Sequence, residues 1–476
     1  MVFSSPVFLF QFLPLTLLLV LLAGDRRGQN TVLLIASLVF YFWGEKAYVL
    51  LMVGTALFNY LCGLAMERWK SPRLVLGIAV VANLGALVWF KYANFLAHSI
   101  SVLLAGRGMA LELDPVHLPV GVSFFIFHSL SYVIDVYRGD AQAQRSPGIA
   151  MLYIALFPQL VAGPIIRYHD VADQFTARKM DISGFALGVR RFIIGLAKKV
   201  LIADQCARIA DPIFKEAPDT VVMSVAWLGI IAYAVQIYFD FSGYSDMAIG
   251  LGRMFGFRFL ENFNRPYIAA SLREFWKRWH ISLTNFFRDY VYIPLGGNRH
   301  GTVRTYVNLL LIFFLTGLWH GASWSFVVWG MIHGAFMVLE RVGFGGSLDK
   351  LPRIIGQVYT LAVVLTAWAF FRILDIGGAC EFAKALWNPA AGDAVLTYPE
   401  LDLSNVTVLA LVIGVLGSLN AHVLLGRLLR LPSFVGESAP KGGWAVAQLA
   451  GVVLLFIGVA MQVASSTFSP FIYFRF

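Results

Sequence analysis

The feature that most constrains this chain is a run of 34 residues, 306–339, without a formally charged side chain. As a single helix it would be about 51 Å long at about 1.5 Å per residue. The hydrocarbon core of a bilayer is only about 30 Å thick. The run therefore has to break, and residues 317–322, in which two glycines flank His320, are the predicted position of the break.

Similar runs recur along the chain and predict an all-α, polytopic integral membrane protein. Residues 5–23, 47–66 and 221–239 are three further examples. Each is continuous rather than alternating, which favours a spanning helix of about 20 residues over a transmembrane strand. We expect about eleven to thirteen membrane helices in a single domain over residues 1–476, because no soluble segment of about 50 residues interrupts them.

The composition and the N-terminus agree with a bilayer as the solvent. Only 13% of the residues are charged and 59% are hydrophobic, whereas a soluble domain has about 25% charged residues. Residues 1–23 lack a basic start, and their apolar run of about 19 residues is longer than the core of a signal peptide. Arg26 and Arg27 follow this run, so the positive-inside rule predicts that the N-terminus lies outside.

A basic segment, residues 253–304, accounts for more than half of the net charge of +10. It contains nine Lys or Arg and three acidic residues, a net charge of +6. Such a segment is expected on the cytoplasmic side, where it attracts anionic headgroups or a phosphorylated donor rather than nucleic acid. Cys62, Cys206 and Cys380 are isolated, so we predict no disulfide framework and no zinc site.

Within the basic segment, residues 271–290 have apolar side chains at three- and four-residue spacing, which predicts one amphipathic helix. His280 falls on its apolar face. Two interpretations remain open at this point: a core histidine with a hydrogen-bond partner, or a neutral imidazole that acts as a base or hydrogen-bond partner in a reaction.

His320 is the stronger candidate for catalysis. It lies at the break in the uncharged run, and an ionisable side chain at membrane depth usually faces a cavity or pathway. Desolvation favours a neutral imidazole that can accept a proton. The alternative is a satisfied histidine that bridges two helices. His333 is expected to pack between helices, where Gly330 and Gly334 permit a close approach.

The other motifs suggest structural roles. Asp240 and Asp246 end an uncharged run and are expected to form buried ion pairs with Arg253 or Arg258. Residues 296–301, GGNRHG, lack the ending of a phosphate loop and predict a turn. Because no metalloprotease or serine-hydrolase motif occurs, we expect histidine chemistry without a metal or a tightly bound cofactor.

Two longer motifs carry a resemblance to a known family. NFNRPYIAASLREFWKRWHISLTNFFRDYVYIPLGGNRHG and GLWHGASWSFVVWGMIHG resemble the membrane-bound O-acyltransferase family, in particular the bacterial branch with the membrane subunit of alginate O-acetylation. The likeness runs from the first residue to about Glu340. It implies a ring of tilted helices around a central tunnel.

The resemblance also implies roles for residues and partners. His320 corresponds to the near-invariant catalytic histidine and His280 to the second, less strictly required one. The motifs further predict a substrate-binding set, which comprises Asn264, Trp276, Lys277, Arg278, Arg288, Asp289 and Trp319.

The implied reaction takes acetyl groups from cytoplasmic acetyl-CoA across the bacterial inner membrane. A periplasmic acetyltransferase with a Ser-His-Asp site then modifies an exopolysaccharide, which is alginate or bacterial cellulose. A transporter, or a scaffold without chemistry of its own, is the alternative for a chain with this many helices.

Overall fold

A computed structural model describes residues 1–107, 113–161, 163–390, 401–419 and 442–465. These residues form two compact units, described separately below. The first unit comprises residues 1–189 and 248–260, and the second comprises residues 190–247 and 261–476. Helices and loops account for all of the described residues, which contain no strand. The predicted all-α class is therefore confirmed, while the single-domain organisation stays a prediction.

The α-helices of the described residues are numbered from the N-terminus. In chain order they are α1 Leu13–Leu22, α2 Arg26–Glu45, α3 Val49–Arg68, α4 Pro72–Leu87, α5 Ala93–Leu104, α6 Val122–Arg138, α7 Pro147–Ala155, α8 Phe157–Leu160, α9 Tyr168–Val171, α10 Gln174–Ala177, α11 Ile182–Ala197, α12 Asp204–Lys215, α13 Met223–Met254, α14 Leu272–Trp276, α15 Ile281–Phe287, α16 Thr302–His320, α17 Trp324–Leu339, α18 Gly345–Leu348, α19 Arg353–Arg372, α20 Ile376–Ala385, α21 Asn405–Ser418 and α22 Gly443–Ser465.

Seven helical segments among the described residues are long and apolar enough to cross a membrane. Two of them are composite: Arg26–Arg68 contains α2 and α3, and Pro72–Leu104 contains α4 and α5. Phe8–Leu22 and Asn405–Ser418 are apolar but shorter. The multi-pass membrane character is thus confirmed, whereas the number of crossings and the ring around a tunnel stay predictions.

In the first unit, two polar side chains inside apolar helices are paired with each other. Asn59 on α3 and Asn83 on α4 exchange two amide hydrogen bonds, of 2.7 and 3.1 Å, and both are buried. An amide that faces hydrocarbon without a partner costs several kcal/mol, on the order of 4–8. The reciprocal pair therefore ties α3 to α4 without leaving a polar group unsatisfied.

In the second unit, the long uncharged run breaks where the sequence predicts it. Helix α16 ends at His320, Gly321 is extended, and α17 begins at Trp324. The backbones of the two helices approach each other closely at glycines. A Cβ on Gly317 would meet the carbonyl oxygen of Phe326, and a Cβ on Gly330 would meet that of Phe313. The glycines therefore allow the contact that holds the end of α16 in place.

The single amphipathic helix predicted for residues 271–290 is wrong. Helix α14 ends at Trp276 and α15 begins at Ile281. Between them His280 adopts a left-handed backbone conformation, with φ 44° and ψ 54°. A left-handed residue costs about 1–2 kcal/mol when it is not glycine, and it interrupts the helix at the side chain that the apolar spacing had singled out.

We predict that Gly330→Ala destabilises the protein by about 1–3 kcal/mol, because the new methyl group meets a backbone carbonyl that cannot rotate away. Thermal unfolding of the purified protein in detergent measures the loss. Gly77→Ala on α4 is the matched control, since nothing lies within 4 Å of its Cβ and the substitution should slightly stabilise the helix. Equal behaviour of the two variants would contradict the close contact between α16 and α17.

Candidate functional site

His320, the last residue of α16, lies inside an aromatic enclosure in the second unit. It is 4% exposed. Its ring centroid is 5.0 Å from those of Trp319 and Trp329 and 5.1 Å from that of Phe371. The glycine contacts between α16 and α17 fix the backbone on both sides of the break. The imidazole therefore sits in a defined position in surroundings of low polarity.

His280 lies beside His320, with 6.4 Å between the two ring centroids. It is fully buried and packs against Phe241 at 4.6 Å and Trp319 at 5.9 Å. In sequence it lies between the spanning helices α13 and α16 and belongs to neither. Burial lowers the pKa of its imidazole to about 3. At physiological pH His280 is therefore neutral. Two histidines that are 40 positions apart in sequence thus form a pair of neighbouring imidazoles.

A third polar residue of this site is Asn262, which the sequence analysis does not single out although it is the first residue of the longer family motif. It is 1% exposed, and its side-chain oxygen lies 3.2 Å from Nδ1 of His280. The same oxygen accepts hydrogen bonds from the backbone N–H of Ser282, at 3.1 Å, and from its hydroxyl, at 2.8 Å. Asn262 precedes His280 by 18 residues in an irregular segment, where no spacing rule links the two.

His333, the third buried histidine of this region, also packs against Trp329. Its ring centroid is 5.0 Å from that of Trp329 and 5.2 Å from that of Trp276. It is fully buried, and neither ring nitrogen has a hydrogen-bond partner among the described residues. Gly330 and Gly334, on either side of it, both face Phe313 of α16. The predicted close packing of helices at Gly330 and Gly334 is therefore confirmed.

The predicted substrate-binding residues divide into two groups. Trp319 contacts both His280 and His320, and buried Trp276 belongs to the adjoining cluster around Trp329. Lys277 and Asn264 are instead exposed. The structure therefore places Trp319 against both histidines and Trp276 in the adjoining cluster, and leaves these two polar members on the surface.

The remaining members of the set are engaged in ion pairs. Arg278 is paired with Glu274 at 2.8 Å and donates to the carbonyl oxygen of Asn264 at 3.0 Å. Arg288 binds its neighbour Asp289 through two hydrogen bonds, of 2.7 and 2.9 Å. Lys277 differs from the two arginines of the predicted substrate-binding set. Its side chain is exposed, and it forms no ion pair with any described residue.

Asp240 and Asp246 on α13 are buried and paired with cations, as predicted, but the cations that bind Asp246 are not the predicted Arg253 or Arg258. Asp246 binds Arg191 at 2.8 Å and Lys198 at 2.6 Å. Lys199 lies 2.9 Å from Asp240 and 2.7 Å from Asp204. These cations reach the carboxylates because residues 191–199 pack along α13. The packing is close, since a Cβ on Gly195 would meet the carbonyl oxygen of Gly243 and a Cβ on Gly243 would meet that of Gly195. Nearness in sequence does not reveal these partners.

Arg191 extends this cluster towards the histidine site. Its guanidinium also binds Glu261, the residue before Asn262, at 2.5 Å. Asn262 in turn donates from its amide nitrogen to the hydroxyl of Ser245, the residue before Asp246, at 3.1 Å. Two neighbouring residues of α13 therefore hold two neighbouring residues of the segment that carries Asn262.

Among the described residues, Asp135, Asp140 and His169 of the first unit form a group whose ligand atoms lie within 4.8 Å of one another, close enough for a metal ion. Nδ1 of His169 is 2.9 Å from Asp135, and its Nε2 is 3.4 Å from Asp170. The hydrogen bond to Asp135 raises the pKa of His169. This hydrogen bond accounts for the short distance between His169 and Asp135 within the group.

Comparison with known proteins is consistent with this arrangement. Residues 123–345, which include both histidines, match the membrane-bound O-acyltransferase family. The chain is 41% identical to the "Probable alginate O-acetylase AlgI" of Azotobacter vinelandii over the full length of both proteins. It is 34% identical to the peptidoglycan O-acetyltransferase of Helicobacter pylori, over 81% of this chain and 80% of that protein. It is 26% identical to the teichoic acid D-alanyltransferase of Bacillus subtilis, over 68% of this chain and 78% of that protein.

The chain belongs to the membrane-bound O-acyltransferase family and is an O-acyltransferase. This confirms the family predicted from the two long motifs. The roles assigned to the individual site residues stay predictions.

We predict that Asp246→Asn destabilises the second unit by about 1–3 kcal/mol, because Lys198 would lose its carboxylate partner in a half-buried position and Arg191 would keep only Glu261. The midpoint of thermal unfolding in detergent measures this. Glu381→Gln is the control: it removes the carboxylate of the exposed pair with Lys384, and exposed pairs contribute little. A midpoint for Asp246→Asn equal to that of the control would contradict a structural role of the cluster.

Proposed function

We propose that this protein is the membrane O-acetyltransferase of an exopolysaccharide-acetylation system, with alginate as the first candidate polymer. The names of its relatives support the substrate class, since two relatives matched over their full length are named as probable alginate O-acetylases and a further relative as a peptidoglycan O-acetyltransferase. Bacterial cellulose is the second candidate polymer.

The donor is cytoplasmic acetyl-CoA, used as a substrate rather than as a bound cofactor. The acetyl group passes through the inner membrane, in which the N-terminus lies on the periplasmic side, and reaches a periplasmic acetyltransferase with a Ser-His-Asp site. The net charge of +6 in residues 253–304 supports a cytoplasmic docking surface for the phosphates of coenzyme A.

The observation that carries the proposed chemistry is the buried pair of imidazoles, with 6.4 Å between the rings of His280 and His320. The hydroxyl oxygen of the acceptor attacks the thioester carbonyl carbon, a C–O bond forms and the C–S bond breaks. His320 takes the hydroxyl proton during the attack and returns it to the departing thiolate. The reaction therefore consumes no proton overall, and general-base assistance contributes a factor of about 10² to 10⁴ in rate.

We expect His320→Ala to lower acetyl transfer from acetyl-CoA by a factor of about 10² to 10⁴, since the base is lost. Radiolabelled acetyl transfer in proteoliposomes and the acetyl content of the polymer in cells both measure this. Membrane insertion and association with the periplasmic enzyme should be unchanged. Retained acetylation in this variant would instead favour a transporter or a scaffold.

For the donor surface, we expect Lys277→Glu to raise the KM for acetyl-CoA about fivefold or more at low salt, because a Lys near a phosphate-rich ligand contributes about 1 kcal/mol. Higher ionic strength should reduce the difference. Lys350→Glu, a charge reversal at another exposed lysine, is the matched control and should leave KM unchanged. The same KM change in both variants would remove the basis for a docking surface around Lys277.

A further inference from the structure

The contacts of Asn262 determine which nitrogen of His280 carries the hydrogen. The backbone N–H of Ser282 can only donate, so the Asn262 atom 3.1 Å away from it is the amide oxygen. The amide nitrogen then faces Ser245, to whose hydroxyl it donates at 3.1 Å. The orientation of this amide, which is usually a matter of assignment, is thus fixed by a backbone donor.

Nδ1 of His280 faces the same amide oxygen at 3.2 Å. Two lone pairs at this distance repel each other, so Nδ1 has to be the protonated nitrogen. The hydroxyl of Ser282 does not supply an alternative, because it lies 2.8 Å from the amide oxygen and 3.5 Å from Nδ1. In a neutral imidazole the other nitrogen, Nε2, is then a hydrogen-bond acceptor. It is buried, and no partner for it is found in the described part of the chain.

Asn262 also holds the strained backbone of this turn. Its carbonyl oxygen accepts the N–H of Ile281 at 2.9 Å, directly after the left-handed His280. Together with the contacts to Ser282, these bonds fix residues 280–282 from one side chain and its own backbone. Strained residues persist where surrounding contacts over-determine them, and they are frequent at active sites.

We propose that Asn262 is a positioning residue, which holds His280 as the Nδ1–H tautomer so that Nε2 accepts a hydrogen bond from an O–H or N–H group of a reactant. This rests on the proposed acetyl transfer. It assigns His280 to the orientation of a reactant, because a nitrogen with a lone pair does not donate to the negative oxygen that develops on the thioester carbonyl. His320 remains the group that takes the proton.

The test uses the pH dependence of kcat for Asn262→Asp in proteoliposomes. The carboxylate keeps an oxygen beside Ser282 and Nδ1, but its charge stabilises the imidazolium and raises the pKa of His280. Since the acceptor at Nε2 is lost when His280 is protonated, the acid limb of the profile should move to higher pH, with activity retained on the alkaline side. Asn405→Asp, the same change at an exposed helix start, should leave the profile in place.

A double-mutant cycle separates positioning from packing. Asn262→Ala should lower kcat on the order of 10- to 100-fold, as loss of a partner that orients an imidazole does, and should have almost no further effect in a His280→Ala background. Additive losses, or an unshifted acid limb in Asn262→Asp, would overturn the assignment. These outcomes are distinct from a failure of the proposed function, which would appear as acetyl transfer that persists in His320→Ala.

Discussion

The interaction on which the rest of the second unit depends is the sharing of the buried carboxylate of Asp246 by Arg191 and Lys198. A charge on a membrane-spanning helix is tolerated only when it is paired inside the protein, so this cluster fixes how residues 191–198 lie along α13. Arg191 also binds Glu261, and the following residue, Asn262, donates to Ser245 beside Asp246, so Asn262 is tied to the same part of α13. Asn262 in turn faces Nδ1 of His280 through its amide oxygen.

The second constraint is the contact between α16 and α17. Glycines at positions 317 and 330 remove the side chains that would separate the two helices. The end of α16 is therefore pressed against α17, and His320 is surrounded by the rings of Trp319, Trp329 and Phe371. The two histidines are thus brought together by different means: one by hydrogen bonds from a polar segment, the other by packing of small residues in an apolar hairpin.

The extent to which these features can be predicted from sequence follows the range of the interactions. The break at residues 317–322 is predictable because helix rise and bilayer thickness are local, known lengths, and the burial of His280 follows from the apolar spacing around it. The interruption at His280 is not, since its left-handed backbone is stabilised by Asn262, 18 residues earlier. The prediction of the partners of Asp246 fails for the same reason. Arg191 and Lys198, which bind it, are 55 and 48 residues away in sequence, whereas the predicted Arg253 and Arg258 are near it only along the chain.

The distribution of charge between the supporting clusters and the site itself fits acyl transfer. The carboxylates and cations around α13 are paired with each other, while the groups that contact His280 are aromatic rings, an amide and a hydroxyl, and three aromatic rings pack around His320. A thioester and a hydroxyl are neutral, and their exchange releases no net proton, so a neutral site has no charged reactant to desolvate. Charge develops only during the reaction, on the imidazole that takes the proton and on the thioester oxygen or the leaving sulfur, and in a medium of low dielectric these opposite charges attract strongly.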